Sequence, residues 1–280
     1  MKKGLVGDGR HLKELTTGKI IKNTSQAANR IMIGIPTTGL IRYEWAVARY
    51  HQIVPCNWSH ADFMYYLNDY IPSGFQVADG RNIIVHQALA NGFEWLMFID
   101  HDTILPPLTL VHMNEYMLEK KVPVVCGLYF TKSIPSEPLV YRGHGTSYYN
   151  KWKFGDKVWV DGIPMGCTLI NCSIFKAMAK DCEEYELNGT KLRKYFNTPG
   201  MSYWDMEAGG FVNRVGTEDL DWCARVIDGG YLKKAGWKDV GKQKYPFLID
   251  TNIFCLHIDQ DGVTYPSRGE EQKYAKKKED

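Results

Sequence analysis

The chain has 280 residues, 44% hydrophobic and 24% charged, with a formal net charge of +2. This is a globular composition with room for a sizeable core, in one large α/β domain or two small ones, and its near-neutral balance points to no particular class of partner. No apolar run is long enough to span a membrane and no hydrophobic signal segment follows Lys2 and Lys3; the seven cysteines (Cys56, Cys126, Cys167, Cys172, Cys182, Cys223 and Cys255) are odd in number, lack paired C-x-x-C motifs and read as reduced thiols of a cytoplasmic protein.

Residues 1–30 are polar and aperiodic, an N-terminal arm. The core begins at Ile31-Met32-Ile33-Gly34-Ile35, a buried strand stopped by Pro36, with Thr37-Thr38-Gly39 as a loop. Tyr43 to Ile53 has helical character, and Phe75-Gln76-Val77 reads as a second short strand. Asp79-Gly80-Arg81-Asn82 leads into a helix from Asn82 to Ala90, with Ile84, Ala88 and Leu89 on one face and Asn91-Gly92 as its stop. The next strand, Trp95-Leu96-Met97-Phe98-Ile99, is short and apolar and ends in Asp100-His101-Asp102. Pro107 opens a helix with Leu110, Met113 and Met117 on its apolar face, and Pro123–Gly127 is a further strand. This β-α-β-α-β-α-β order implies a mainly parallel sheet covered by helices, whose ligands bind beyond the carboxyl ends of the strands.

The second half is less regular. Residues 128–165 suggest hairpins, Cys167–Ile170 a strand, and Ser173 the cap of a helix carrying Phe175 and Met178. Residues 183–215 show no strong period but hold Tyr185, Tyr195, Phe196, Tyr203, Trp204 and Phe211. A lobe of that kind reads either as a functional surface or as packing. Leu220, Cys223, Ala224 and Ile227 recur at helical spacing behind Thr217, a natural N-cap.

Four groups carry the chemistry. Asp100 and Asp102, at the end of a buried strand, are costly without a cation, and a divalent metal bound to a phosphorylated substrate answers that need; the alternative is a turn with capping acids. If strand alternation continues, the two point together and His101 points away. Glu218 and Asp219 lie in a first helical turn, where acids either stabilise the dipole or act as a base facing the cleft. His257 closes an apolar strand, as a structural residue or a further metal ligand. Arg81 pairs with a pyrophosphate or simply with Asp79. Lys233, Lys234, Lys238, Lys242, Lys244 and Lys276–Lys278 are a solvated surface, or a contact for a polyanion.

Pro36-Thr37-Thr38, Gly80-Arg81-Asn82, Phe98-Ile99-Asp100-His101-Asp102, Gly216-Thr217-Glu218-Asp219 and the late His257 occur in the order found in family-2-like glycosyltransferases of the GT-A fold, and over residues 31–258 the chain resembles that family. The resemblance implies a Rossmann-like α/β fold. It places the nucleotide-sugar half at 31–127, the acceptor and catalytic half at 128–260, and a C-terminal tail at 261–280. It implies a donor site of Pro36, Thr37, Thr38, Asp79, Arg81, Asp100 and His101. Mn²⁺ or Mg²⁺ would be held by Asp102, with Asp100 close by and His257 as a further ligand. Asp219, with Glu218 as the second choice, would be the catalytic base. The usual acidic residue after the first-strand proline is replaced by Thr38 and Gly39, and no Q-x-x-R-W segment of processive synthases occurs.

The expected activity is thus transfer of a sugar from a nucleoside diphosphate sugar, UDP- or GDP-linked, to a hydroxyl acceptor with inversion. A saccharide is the expected acceptor. A nucleic acid is kept as a subclass, because lysines can contact phosphates and aromatics can stack on bases. The rival readings are a nucleotidyltransferase, which would want a better phosphate loop than Pro36–Leu40, and a non-catalytic nucleotide- or glycan-binding module.

Overall fold

Apolar runs that read as strands do become the centre of the molecule. The structure is a computed structural model and describes residues 31–54, 66–143, 147–206 and 209–276. The arm at 1–30, Cys56, Lys277 and Lys278 lie outside the described residues. The strands are β1 (Ile31–Gly34), β2 (Tyr66–Tyr70), β3 (Trp95–Ile99), β4 (Thr103–Ile104), β5 (Val124–Leu128), β6 (Lys157–Val160), β7 (Cys167–Asn171), β8 (Glu184–Leu187), β9 (Thr190–Arg193), β10 (Gly200–Asp205), β11 (Gly210–Val215), β12 (Phe247–Phe254), β13 (Leu256–Ile258) and β14 (Thr264–Tyr265). The α-helices are α1 (Tyr43–Tyr50), α2 (Val77–Ala90), α3 (Thr109–Glu119), α4 (Ser173–Met178), α5 (Glu218–Asp228) and α6 (Tyr231–Lys234).

Seven strands form one sheet in the order β2-β1-β3-β7-β5-β12-β6. β1 is parallel to β2 and β3, and β12 is parallel to β5. β7 lies antiparallel between β3 and β5, and β6 is antiparallel to β12. Five strands therefore point one way, the mostly parallel α/β arrangement expected. Every residue of β1, β3, β5 and β7 is buried, which is why these strands read as unbroken apolar runs rather than alternating ones. The six described cysteines are free and buried. Among the described residues, no helix is long and apolar enough to cross a membrane.

Several elements differ from the sequence expectation. Phe75-Gln76-Val77 is not a strand: α2 already begins at Val77, and the second strand is Tyr66–Tyr70. Three residues of apolar-polar-apolar pattern are too few to separate a strand from the first turn of a helix. Ser173 does not cap α4 but opens it; its hydroxyl accepts from Trp237 Nε1 at 3.0 Å, while Asn171 Oδ1 takes the Ser173 N–H. Residues 183–215 are not irregular but carry two hairpins, β8–β9 and β10–β11. β8 and β9 are only four residues each, too short for a period to emerge.

On α5 the buried residues are Glu218, Trp222, Cys223 and Val226, a face rotated from the expected Leu220–Cys223–Ala224–Ile227 stripe. Trp222 decides the rotation. It stacks on Phe196 (ring centroids 5.8 Å apart) and on Phe247 of β12 (5.8 Å). One turn back along that face lie Glu218 and Asp219. The strand expected to run on to His257 breaks at Cys255, whose N–H is taken by Leu128 O at 2.8 Å. β13 then joins a separate three-stranded sheet, β14-β13-β4. The stretch read as a tail folds back over its described part: Tyr274 is buried and stacks on Trp152, with centroids 4.1 Å apart.

Gly34 marks where α2 presses hardest on the sheet. A Cβ there would lie 2.2 Å from Ile84 Cγ2. Gly34→Ala is expected to cost about 1–3 kcal/mol by overpacking, read by chemical denaturation. Ile84→Val in the same chain should recover part of the loss.

Candidate active site

The carboxyl ends of β1, β3 and β5 lie on one edge of the sheet, and the segments following them form the site. After β1, Pro36-Thr37-Thr38 is pinned by backbone hydrogen bonds from Thr37 N to Pro72 O and from Gly74 N to Thr37 O, both 3.2 Å. After β3 the chain turns at once: Thr103 N donates to Asp100 O at 3.1 Å, Asp100 N to Gly166 O at 3.0 Å, and Trp45 Nε1 to Asp100 O at 2.8 Å. Strand alternation ends with Ile99, so the expected common direction of Asp100 and Asp102 does not arise. The two carboxylates diverge. Pro36, Thr37, Thr38, Asp100, His101 and Asp102, together with Gly80, line a cavity of about 170 Å³. His101 Nδ1 lies 3.3 Å from Pro36 O, joining the two loops.

Asp100 turns inward. Its Oδ2 accepts from Arg81 Nη2 at 3.0 Å, and Arg81 Nε donates to Glu218 Oε1, also at 3.0 Å. Arg81 is only 2% exposed and lies 5.3 Å from the centre of the Phe98 ring. Burial alone would drive its proton off, but Asp100 and Glu218 outweigh burial and hold the guanidinium charged. Arg81 thus reaches neither Asp79 nor the cavity wall. Asp79 accepts the Tyr185 hydroxyl at 2.7 Å on the opposite side of α2 and does not line the cavity. Arg81 Nη1 and Asp100 Oδ1 are buried without hydrogen-bond partners.

Asp102 turns outward. Lys132, in the loop after β5, bonds its Oδ2, and His257 Nε2 lies 3.7 Å from its Oδ1. The pairing of β4 with β13 creates this meeting, because it sets His257 opposite Thr103 and joins Ile258 N to Asp102 O at 2.8 Å. His257 Nδ1 faces Phe130 O at 2.8 Å and must donate to it. In the neutral ring that leaves the Nε2 lone pair facing a carboxylate oxygen. The separation is too long for a hydrogen bond and suits two ligands of one cation. Burial pushes the Asp102 carboxyl up, but His257 in its protonated form and then Lys132 outweigh it and hold it well below the usual carboxylate range. Among the described residues no three His, Cys, Asp or Glu side chains converge as a ligand set. Two protein donors are nevertheless a common complement for a divalent ion that also takes phosphate oxygens and water. An imidazole that ligates a metal usually gives its other N–H to a carbonyl or carboxylate, as His257 Nδ1 does to Phe130 O.

Asp219 stands in the first turn of α5, next to Glu218. Thr217 holds the N-cap position in extended conformation, as expected, but its hydroxyl engages Asp219 rather than a helix N–H. Leu220 N donates to Asp219 Oδ1 at 2.8 Å. Burial first, then the charge of Glu218, pushes the Asp219 carboxyl up to about 6. Its charge adds to those of Asp100 and Glu218 in keeping Arg81 charged. The gathered groups Asp100, Asp102, Glu218 and Asp219 outnumber the fixed cations Arg81 and Lys132. Glu218 is committed to Arg81, leaving Asp219 as the carboxyl with base strength near neutrality.

Lys132 was not legible as a site residue from the sequence. The available signal was its position just past a parallel strand that ends on the same edge as Asp100. Of the aromatics in the 183–215 lobe, Tyr195 and Phe196 are core, Tyr185 serves Asp79, and Trp204 is 53% exposed. The side chains of Tyr203 and Phe211 lie outside the described residues.

No family model matches the sequence, and no curated protein does. Among solved structures, A197 from STIV is similar over 84% of this chain and 88% of that chain, at 17% sequence identity and a TM-score of 0.47.

Arg81→Met strands the buried Glu218 and the part-buried Asp100 and is expected to cost about 3–5 kcal/mol at neutral pH. The loss is read by urea unfolding of the variant beside the wild type. The folded pKa of Asp219 lies above the unfolded value, so its contribution to stability is full below about 3.8 and is lost as pH rises through about 6. Asp219→Asn should therefore stabilise the fold above pH 6 by ~1–2 kcal/mol, with the gain vanishing below pH 4.

Proposed function

We propose that the protein is a metal-dependent, GT-A-like glycosyltransferase. It moves a sugar from a nucleoside diphosphate sugar to a hydroxyl acceptor with inversion. The observation that carries this reading is the opposed pair Asp102 Oδ1 and His257 Nε2, 3.7 Å apart beside the cavity formed by Pro36–Thr38 and Asp100–Asp102. The cavity offers a place for the nucleoside, and the pair a place for the cation that accompanies a diphosphate.

Asp102 and His257 would hold Mn²⁺ or Mg²⁺, which when bound supplies Lewis-acid neutralisation of the leaving diphosphate. Asp100 remains beside this position and is fixed through Arg81. Pro36, Thr37, Thr38 and His101 bound the nucleoside side. Asp219 takes the proton from the acceptor hydroxyl as it attacks, a role suited to a carboxyl near 6, which is ionised at neutral pH yet more basic than a free aspartate. Glu218 keeps Arg81 charged and raises Asp219.

The test is transfer or slow hydrolysis of a panel of UDP- and GDP-sugars with Mn²⁺. Asp102→Asn should lose metal-dependent turnover while melting at the wild-type temperature. Asp219→Asn should lose about 10²–10⁴-fold in rate while retaining donor binding. The wild-type kcat/KM should fall below pH 6, and this limb should be absent from the residual activity of Asp219→Asn. An undiminished rate in Asp102→Asn overturns the metal role, and a product that retains the donor's anomeric configuration overturns the base role.

A further inference from the structure

Asp102 is already neutralised within the protein. Lys132 reaches it from the loop that follows β5. That loop is held at its base by the Thr131 N to Glu137 O bond (2.9 Å) and by a further bond from Glu137 N to Thr131 Oγ1 (3.0 Å). The backbone around Lys132 is therefore anchored, while its side chain is a point charge on a flexible four-carbon stem. Lys132 and Asp102 are each about 30% exposed, so the contact sits at the mouth of the site rather than in the core. Its permanence is not required by the fold, in contrast to the 2%-exposed Arg81 fork.

A cation shared by Asp102 and His257 would have to bind the carboxylate that Lys132 already holds. Two cations on one carboxylate disfavour each other, so binding of one weakens the other by a reciprocal factor. An incoming diphosphate changes that balance, because it brings anionic oxygens that an ammonium can follow. We propose that Lys132 is a resident counter-ion of Asp102 that opposes metal binding by the free protein and transfers to the donor diphosphate when metal and donor arrive together. Metal uptake is thereby coupled to donor uptake. This rests on the metal assignment to Asp102 and His257 and adds the order in which the site fills.

The measurement is Mn²⁺ binding, by calorimetry or by the electron paramagnetic resonance of free Mn²⁺, with and without UDP and GDP. It is made on the wild type, Lys132→Met, Lys132→Arg and Asp102→Asn, with melting temperatures recorded for each. The wild type should bind Mn²⁺ alone weakly and much more tightly with a nucleoside diphosphate. Lys132→Met should bind Mn²⁺ alone at least about tenfold more tightly, since a charge-assisted hydrogen bond no longer competes. It should also lose most of the enhancement by nucleotide, and Lys132→Arg should keep it. If the wild type binds Mn²⁺ with nucleotide but Lys132→Met binds Mn²⁺ alone no more tightly, the role of Lys132 is overturned and the metal site stands. If neither protein binds Mn²⁺ under any of these conditions, the metal reading itself falls, and this proposal with it.

Discussion

The guanidinium of Arg81 is the constraint from which the site follows. It is charged, almost wholly excluded from water and stacked near Phe98, a position tenable only with carboxylates on both sides. Asp100 and Glu218 supply them from residues 19 and 137 positions away in the chain. A helix start, a strand end and a second helix start are thereby held at one point. The fork also divides the acids. Asp100 and Glu218 are committed to it. Asp219, one residue further on, is left outside the fork, and burial and then the charge of Glu218 raise its affinity for a proton.

A second arrangement separates the two aspartates of the Asp100-His101-Asp102 segment. Because β3 stops at Ile99 and a turn intervenes, Asp100 enters the interior and Asp102 goes to the mouth. The short β4–β13 pairing then brings His257 to Asp102 from more than 150 residues away. The Phe130 carbonyl fixes which imidazole nitrogen is presented. Two residues apart in sequence, the aspartates have separate partners: Asp100 is held by Arg81, and Asp102 by Lys132.

Phe196 and α5 are held to the sheet mainly by aromatic packing. Phe98 meets Phe196 edge-on at 5.4 Å, Phe196 and Phe175 meet Trp222, and Trp222 reaches Phe247. Asn82 adds a polar tie, donating to Phe196 O at 2.9 Å and accepting Phe196 N at 2.8 Å, as a strand neighbour would. These contacts fix where α5 begins, and hence where Glu218 and Asp219 stand. Most of the lobe's described aromatic mass thus positions the site rather than lining it.

The buried strands β1, β3, β5 and β7, the helices α2 and α3 and the sheet edge that carries Asp100 were legible in the sequence, whereas β2 was not. Strand burial on both faces leaves unbroken apolar runs such as Trp95–Ile99, and alternation with amphipathic helices dictates a mostly parallel sheet. Asp102, Asp219 and His257 could be named from their places at element ends. What their side chains do there could not. The partner of Arg81 proved to be neither Asp79 nor a position on the cavity wall, because a buried charge is satisfied by whichever carboxylates the tertiary packing delivers. The face of α5 was decided by Trp222, whose ring outweighs the smaller residues of the stripe read from periodicity alone. Lys132 became visible only when the sheet brought the end of β5 beside the end of β3. Periodicity is a local property carried by consecutive residues; charge pairing and ligand geometry depend on long-range contacts, and only the folded chain determines those.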